Sequence, residues 1–114
     1  MEGLELTAFQ IISAVGTAKS SYIEAIGAAK NGDVDRAEKL IKEGDENFVE
    51  GHKAHAGLLE KEASGELGPL GLLLMVHAED QLMSAEAFKT VALEFIASYK
   101  RIEALEAKVA ELSK

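Results

Sequence analysis

Apolar residues along the first thirty positions recur at three- and four-residue steps: Ala8, Ile11, Ile12, Val15, Ala18, Tyr22, Ala25, Ile26 and Ala29. That spacing lines one face of an α-helix. Asn31-Gly32 interrupts it, the glycine being able to take the left-handed conformation of a helix C-terminus. Asp33 then stands where a side-chain oxygen caps the next helix. A second seam alternates steps of four and three through Ala37, Ile41, Gly44, Phe48, Gly51, His55 and Leu58, and gives out near Ser64-Gly65. Pro69, the only proline, follows Gly68 and suits the first turn of a third helix, where its missing N–H costs little. In that helix His77, Gln81, Ser84, Phe88, Val91, Phe95 and Tyr99 share a face. Ile102, Leu105, Val109 and Leu112 continue as a short heptad pattern, with Glu103, Glu106, Lys108, Glu111 and Lys114 mostly between them. Strand-like alternation is absent. The pattern predicts an all-α fold, an antiparallel three-helix bundle (up-down-up) with a long C-terminal helix. Residues 1–114 form one domain, and 102–114 extend its third helix.

The most apolar stretch, Leu72 to Met83, holds the polar residues of most interest, His77, Glu79, Asp80 and Gln81. Leucine, methionine and valine surround them, so the segment is expected to be buried. An ionisable group is buried at a cost unless it is paired or neutral. Apolar residues point nearly all round the helix here: Leu74 and Leu82 one way, Val76 and Met83 another. A helix of a lone bundle keeps a polar face, so this one calls for a second layer of partners, and self-association follows. The small residues Ala37, Gly44 and Gly51 permit close helix approach.

Composition narrows the function. At 114 residues and 47% hydrophobic, the chain folds as one domain rather than remaining disordered. With no cysteine there is no disulfide, thiolate metal ligand or thiol nucleophile. A formal charge of −8 disfavours nucleic acid and anionic membranes and suits a basic protein partner. The longest apolar run, Leu72 to Val76, falls far short of the ~20 residues of a membrane span. The start, Met1-Glu2-Gly3-Leu4-Glu5, lacks a basic segment and cleavage site, so no signal peptide is expected. His52 and His55, three apart on a helix, are compatible with zinc but lack clear further ligands. They read more simply as surface or groove histidines. No hydrolase triad, nucleotide loop or cofactor fingerprint occurs.

The segment Met75-Val76-His77-Ala78-Glu79-Asp80-Gln81-Leu82-Met83 resembles the signature of the lactose/cellobiose (chitobiose)-type enzyme IIA of the phosphoenolpyruvate-dependent sugar phosphotransferase system. That signature is a histidine, any residue, Gln-Asp-His, then Leu-Met. Ile11-Ile12-Ser13-Ala14-Val15-Gly16-Thr17-Ala18-Lys19-Ser20 is similar to the family's first helix, and Ala28-Ala29-Lys30-Asn31-Gly32-Asp33 to its first turn. His52 and Leu58-Leu59-Glu60-Lys61-Glu62-Ala63-Ser64-Gly65-Glu66 resemble its second helix and the break that follows. The likeness runs in order over roughly residues 3 to 101.

The resemblance implies a cytoplasmic phosphocarrier that assembles as a homotrimer. His77 would accept a phosphoryl group from phospho-HPr and pass it to a cysteine of enzyme IIB, which serves the membrane component enzyme IIC. Asp80 would meet its symmetry mates at the trimer axis around a divalent metal such as Mg2+. The transported sugar stays open among lactose, cellobiose, chitobiose and other β-glucosides. Gln81, one turn beyond His77, is placed to hydrogen-bond the phosphoryl group or orient the ring. Three departures stand out: Glu79 replaces the usual glutamine, Gln81 the second histidine, and His55 a glutamine. Two other readings stay in view, the first of them kept alive by Glu79 and Gln81. One is a non-catalytic trimeric scaffold or regulatory relative; the other is a metal-binding helical bundle using His52, His55, His77 and Asp80.

Overall fold

The computed structural model describes residues 3–114. Three helices follow one another: α1 (Gly3–Lys30), α2 (Val34–Ala63) and α3 (Pro69–Leu112). They form the expected antiparallel three-helix bundle, drawn out to 70 × 18 × 16 Å because α3 is 44 residues long while α1 and α2 have 28 and 30. Both breaks fall where the punctuation residues stand. Gly32 closes α1 at φ +84° and Gly65 closes α2 at φ +76°, the left-handed region that glycine enters without a Cβ penalty. The Asp33 side chain accepts a bond from the Arg36 N–H at 3.1 Å, and Pro69 occupies the first turn of α3.

The seams of α1 and α2 bury as their spacing predicts. Ala8, Ile11, Val15, Ala18, Tyr22, Ala25 and Ala29 line the core from α1, and Ala37, Gly44, Gly51, His55 and Leu58 from α2. The two helices approach closely at the glycines. A Cβ on Gly44 would stand 2.5 Å from Tyr22 Cε1, and one on Gly51 would stand 2.6 Å from a Val15 methyl. Tyr22 is fully buried, yet its hydroxyl donates to Asp45 Oδ1 at 2.7 Å. Lys89 of α3 reaches the same oxygen at 2.9 Å. One residue from each helix thus meets at mid-bundle, satisfying a buried phenol that would otherwise pay the desolvation of a lone polar group.

α3 departs from the expectation. Its core stripe is Gly71, Met75, Ala78, Leu82, Ala85, Ala92 and Ile96. The face running from His77 to Tyr99 is a flank, with Gln81, Ser84, Phe88 and Tyr99 half-buried and His77, Val91 and Phe95 exposed. Nor is the Leu72–Met83 segment buried all round: within one chain Leu72, Leu73, Val76 and Met83 are exposed along with His77 and Asp80. The reason is packing distance. Alanines at 78, 85 and 92 let α3 lie close against the other helices, and the bulky side chains are left on its far side.

Two substitutions test the close approach. Gly44→Ala gains about 1 kcal/mol of helix propensity but drives a methyl into a ring held by its own hydroxyl. Overpacking of this kind costs about 1–3 kcal/mol, so urea denaturation at fixed protein concentration is expected to show net destabilisation. Gly27→Ala meets nothing within 4 Å and is expected to raise stability by about 0.5–1 kcal/mol.

The phenol yields a pH prediction. Burial first, then the hydrogen bond to Asp45 and its charge, push the Tyr22 hydroxyl well above the ordinary tyrosine range. The unfolded chain releases that proton near about pH 10, and the folded chain releases it only at higher pH. The stability this shift contributes is therefore complete below about pH 10 and is lost as the pH rises through the folded value. Tyr22→Phe is expected to be less stable at neutral pH and to lose less between about pH 10 and 11.5, read by denaturant titration at each pH.

Candidate functional site

Each residue of α3 turns the helix by ~100°, so the register sets where every candidate points. Opposite the core stripe lies a band of exposed residues: Leu73, Val76, Asp80, Met83, Ala87 and Val91, then Glu94 and Ser98, then Ile102, Leu105, Val109 and Leu112. Its first part is apolar but for Asp80, and its steps of three and four are those of a coiled-coil seam. Asp80 thus sits in the middle of an exposed apolar stripe, one turn from both Val76 and Met83. Its carboxylate takes no part in the ion pairs of the described residues, Arg36–Glu24, Lys89–Asp45 and Lys100–Glu38.

His77 borders this stripe on the α1 side. Phe88, three turns further on and within ~20° of the same direction, has the Lys19 ammonium of α1 over its ring at 4.8 Å. Gln81 follows His77 by one turn and is half-buried in the same flank. The imidazole is exposed, and His77 enters none of the side-chain hydrogen bonds of the described residues. Glu79 lies ~160° away round the helix, on the α2 side. There Glu86, two turns on, lines a groove with Phe48, Val49, His52, Lys53, Lys89, Thr90 and Leu93. Within one chain the departing carboxylate therefore points away from the histidine.

The histidine pair of α2 does not converge. His55 is buried in the core with its Nε2 atom unpartnered, while His52 is exposed and stacks on Phe48 with ring centroids 6.2 Å apart. Among the described residues no group of three or more His, Cys, Asp or Glu is placed to hold a metal ion, so a metal site built from His52, His55, His77 and Asp80 of one chain does not form. Surface grooves of about 650 and 600 Å3 lie beside α2, and neither is lined by His77, Asp80 or Gln81. The candidate nucleophile stands on an open helix face. Sequence reading placed His77, Asp80 and Gln81 on α3 but missed the stripe from Leu73 to Val91 that holds Asp80. The signal for it, steps of three and four through 73, 76, 80, 83 and 87, was present.

No helix of the described residues is long and apolar enough to cross a membrane. Residues 6–100 match the family model described as PTS system, Lactose/Cellobiose specific IIA subunit. The chain is 42% identical over 101 residues to the lichenan-specific phosphotransferase enzyme IIA component of Bacillus subtilis, covering 89% of this chain and 91% of that one. It is 40% identical over 100 residues to the lactose-specific EIIA component of Streptococcus mutans, covering 88% and 95%. Its fold superposes on the crystal structure of the PTS cellobiose-specific enzyme IIA from Bacillus anthracis with a TM-score of 0.83, at 36% identity, covering 91% of this chain and 94% of that one. With matched helices, matched length and a family model spanning both breaks, the chain belongs to the lactose/cellobiose-specific IIA family of the sugar phosphotransferase system.

Proposed function

We propose that the chain is a cytoplasmic phosphocarrier that takes a phosphoryl group from phospho-HPr onto His77 and delivers it to the cysteine of an enzyme IIB, upstream of enzyme IIC. The observation that carries this reading is the open, unpartnered imidazole at the border of an exposed apolar stripe. A carrier must present one nucleophile to two different proteins in turn, so it needs a convex, accessible site rather than a pocket. In the first step a neutral ring nitrogen of His77 attacks phosphorus. A new N–P bond forms, the donor's N–P bond breaks, and the HPr imidazole leaves with the electron pair. In the second step the enzyme IIB thiolate attacks the same phosphorus, an S–P bond forms, the N–P bond to His77 breaks, and the His77 imidazole leaves with the electron pair. Such transfers rest on in-line positioning and on neutralising the equatorial oxygens. Gln81 contributes an amide N–H from one turn away, either to a phosphoryl oxygen or to the ring.

Assembly is part of the same proposal. The exposed stripe of α3 is apolar enough to seek copies of itself, and a rotation axis along it brings the Asp80 carboxylates of three chains together as a homotrimer. Three carboxylates alone repel one another, and an oxygen-rich set of this kind fits a hard divalent cation, Mg2+ among them. One carboxylate per chain does not make such a site, but three around an axis do. The cation supplies positive charge that offsets the repulsion. In such a trimer His77 of one chain would face the α2 side of its neighbour.

Incubation with phosphoenolpyruvate, enzyme I and HPr is expected to add one acid-labile phosphoryl group per chain by intact mass, and none to His77→Ala. An unmodified wild-type chain that is nonetheless assembled would favour the scaffold reading and point to Glu79 and Gln81. Asp80→Leu is expected to keep its assembled mass in a chelator, by light scattering. Dissociation of that variant would argue against carboxylate repulsion as the reason for a metal.

A further inference from the structure

α3 outruns the bundle. The α1–α2 turn at Asn31-Gly32 lies beside Tyr99, Ile102, Glu103 and Glu106, and the Lys100–Glu38 ion pair at 2.9 Å is the last bridge from α3 to another helix among the described residues. Every residue from 100 to 114 is exposed, yet the helix continues to Leu112. The overhang is amphipathic with nothing to cover it: Ile102, Leu105, Val109 and Leu112 are 45, 61, 62 and 81% exposed. Most helical stability in a protein comes from packing an apolar face, which these last twelve residues lack within one chain, and leucine and valine on a solvated helix invite a partner.

The charges beside the stripe say which partner. With Ile102 and Val109 at a and Leu105 and Leu112 at d, Arg101 and Lys108 fall at g and Glu106 at e. In a parallel coil, g of one chain meets e of the next heptad in its neighbour, so Arg101 faces Glu106. An antiparallel pairing sets like against like, Glu106 on Glu106 and Lys108 on Lys108. Ile102 and Val109 at a with Leu105 and Leu112 at d suit a parallel coil and by themselves favour two strands, so a third chain is imposed by the bundle and not by this seam. We propose that residues 101–112 pair, parallel and in register, with the same residues of other copies of this chain as a short coiled coil beyond the bundle. The coil deepens the assembly reading above and rests on it. It locks all copies pointing the same way, which places the His77 sites at one end and the Asp80 residues at one level.

The absence of cysteine from the chain makes the test direct. Leu105→Cys in the full chain places a thiol in the seam, and Ala107→Cys places one on the outer face. Under mild oxidation Leu105→Cys is expected to form interchain disulfides about tenfold faster or more than Ala107→Cys, at a rate independent of dilution while the assembled mass holds. Adding Arg101→Glu to Leu105→Cys is expected to slow it several-fold, and adding Glu106→Arg as well to restore it. Equal, slow cross-linking at both positions in a chain that light scattering shows to be assembled would overturn the coil and leave the assembly standing. A monomeric full-length chain would overturn both.

Discussion

The contact of Tyr22 with Gly44 organises the bundle. A glycine under the ring lets α1 and α2 close on each other, and the buried hydroxyl must then find an acceptor, which Asp45 supplies one residue further along α2. Lys89 completes the set from α3. Because Lys89 and the alanines at 78, 85 and 92 must all face inward, the rotation of α3 about its own axis is settled. Everything on the opposite side follows, including the outward stripe from Leu73 to Val91 with Asp80 in its midst. The charged pair is partly exposed and contributes modestly as an ion pair. Its larger role is to satisfy a phenol that has no water to turn to.

That rotation resolves the tension set by a histidine in the most apolar part of the chain. An imidazole sealed inside a bundle would have to stay neutral and would meet no partner protein. On the border of the α3 stripe it has apolar neighbours along the helix and solvent above it. The cost falls elsewhere: Leu72, Leu73, Val76 and Met83 are left in water within one chain. Exposed apolar area of that kind is tolerated only where something comes to cover it. The apolar character of the segment thus lies on the outer face of the chain, where the proposed assembly would cover it, and His77 and Asp80 within it are exposed.

Both breaks, the two shorter helices and their buried seams were legible because large and small residues alternate there in the ordinary sense, with Ile11, Val15, Tyr22 and Leu58 inside. α3 misled because its pattern is inverted. Three of its seven buried positions are alanine and a fourth is glycine, while its outward ones are leucine, valine and methionine, so much of the hydrophobic bulk points away from the core of its own chain. A reading that equates the most apolar face with the buried one fails wherever a helix serves two interfaces. Spacing located His77 and Gln81 on one flank, but nothing in periodicity gives an imidazole a phosphoryl group. That expectation came from the motif around it. The seam containing Asp80 was legible in principle, and the heptads from Ile102 onward were its visible end.

The same register accounts for how Glu79 is accommodated. A carboxylate two residues from a phosphohistidine would oppose a second negative charge wherever the two shared a face, and at short range in a poorly screened site that repulsion is large. Two steps along an α-helix carry the chain just over half a turn, so Glu79 stands across α3 from His77, on the flank with Glu86 and the α2 groove. Within a chain the helix body separates the charges. Between chains the outcome depends on which flank faces which. Were copies to assemble in parallel about the Asp80 stripe, as proposed, the α1 flank of one would turn toward the α2 flank of the next and bring Glu79 toward the neighbour's histidine. Lys53, which lines the α2 groove, would then stand on the side from which that negative charge is offset, while Lys89 is held by Asp45.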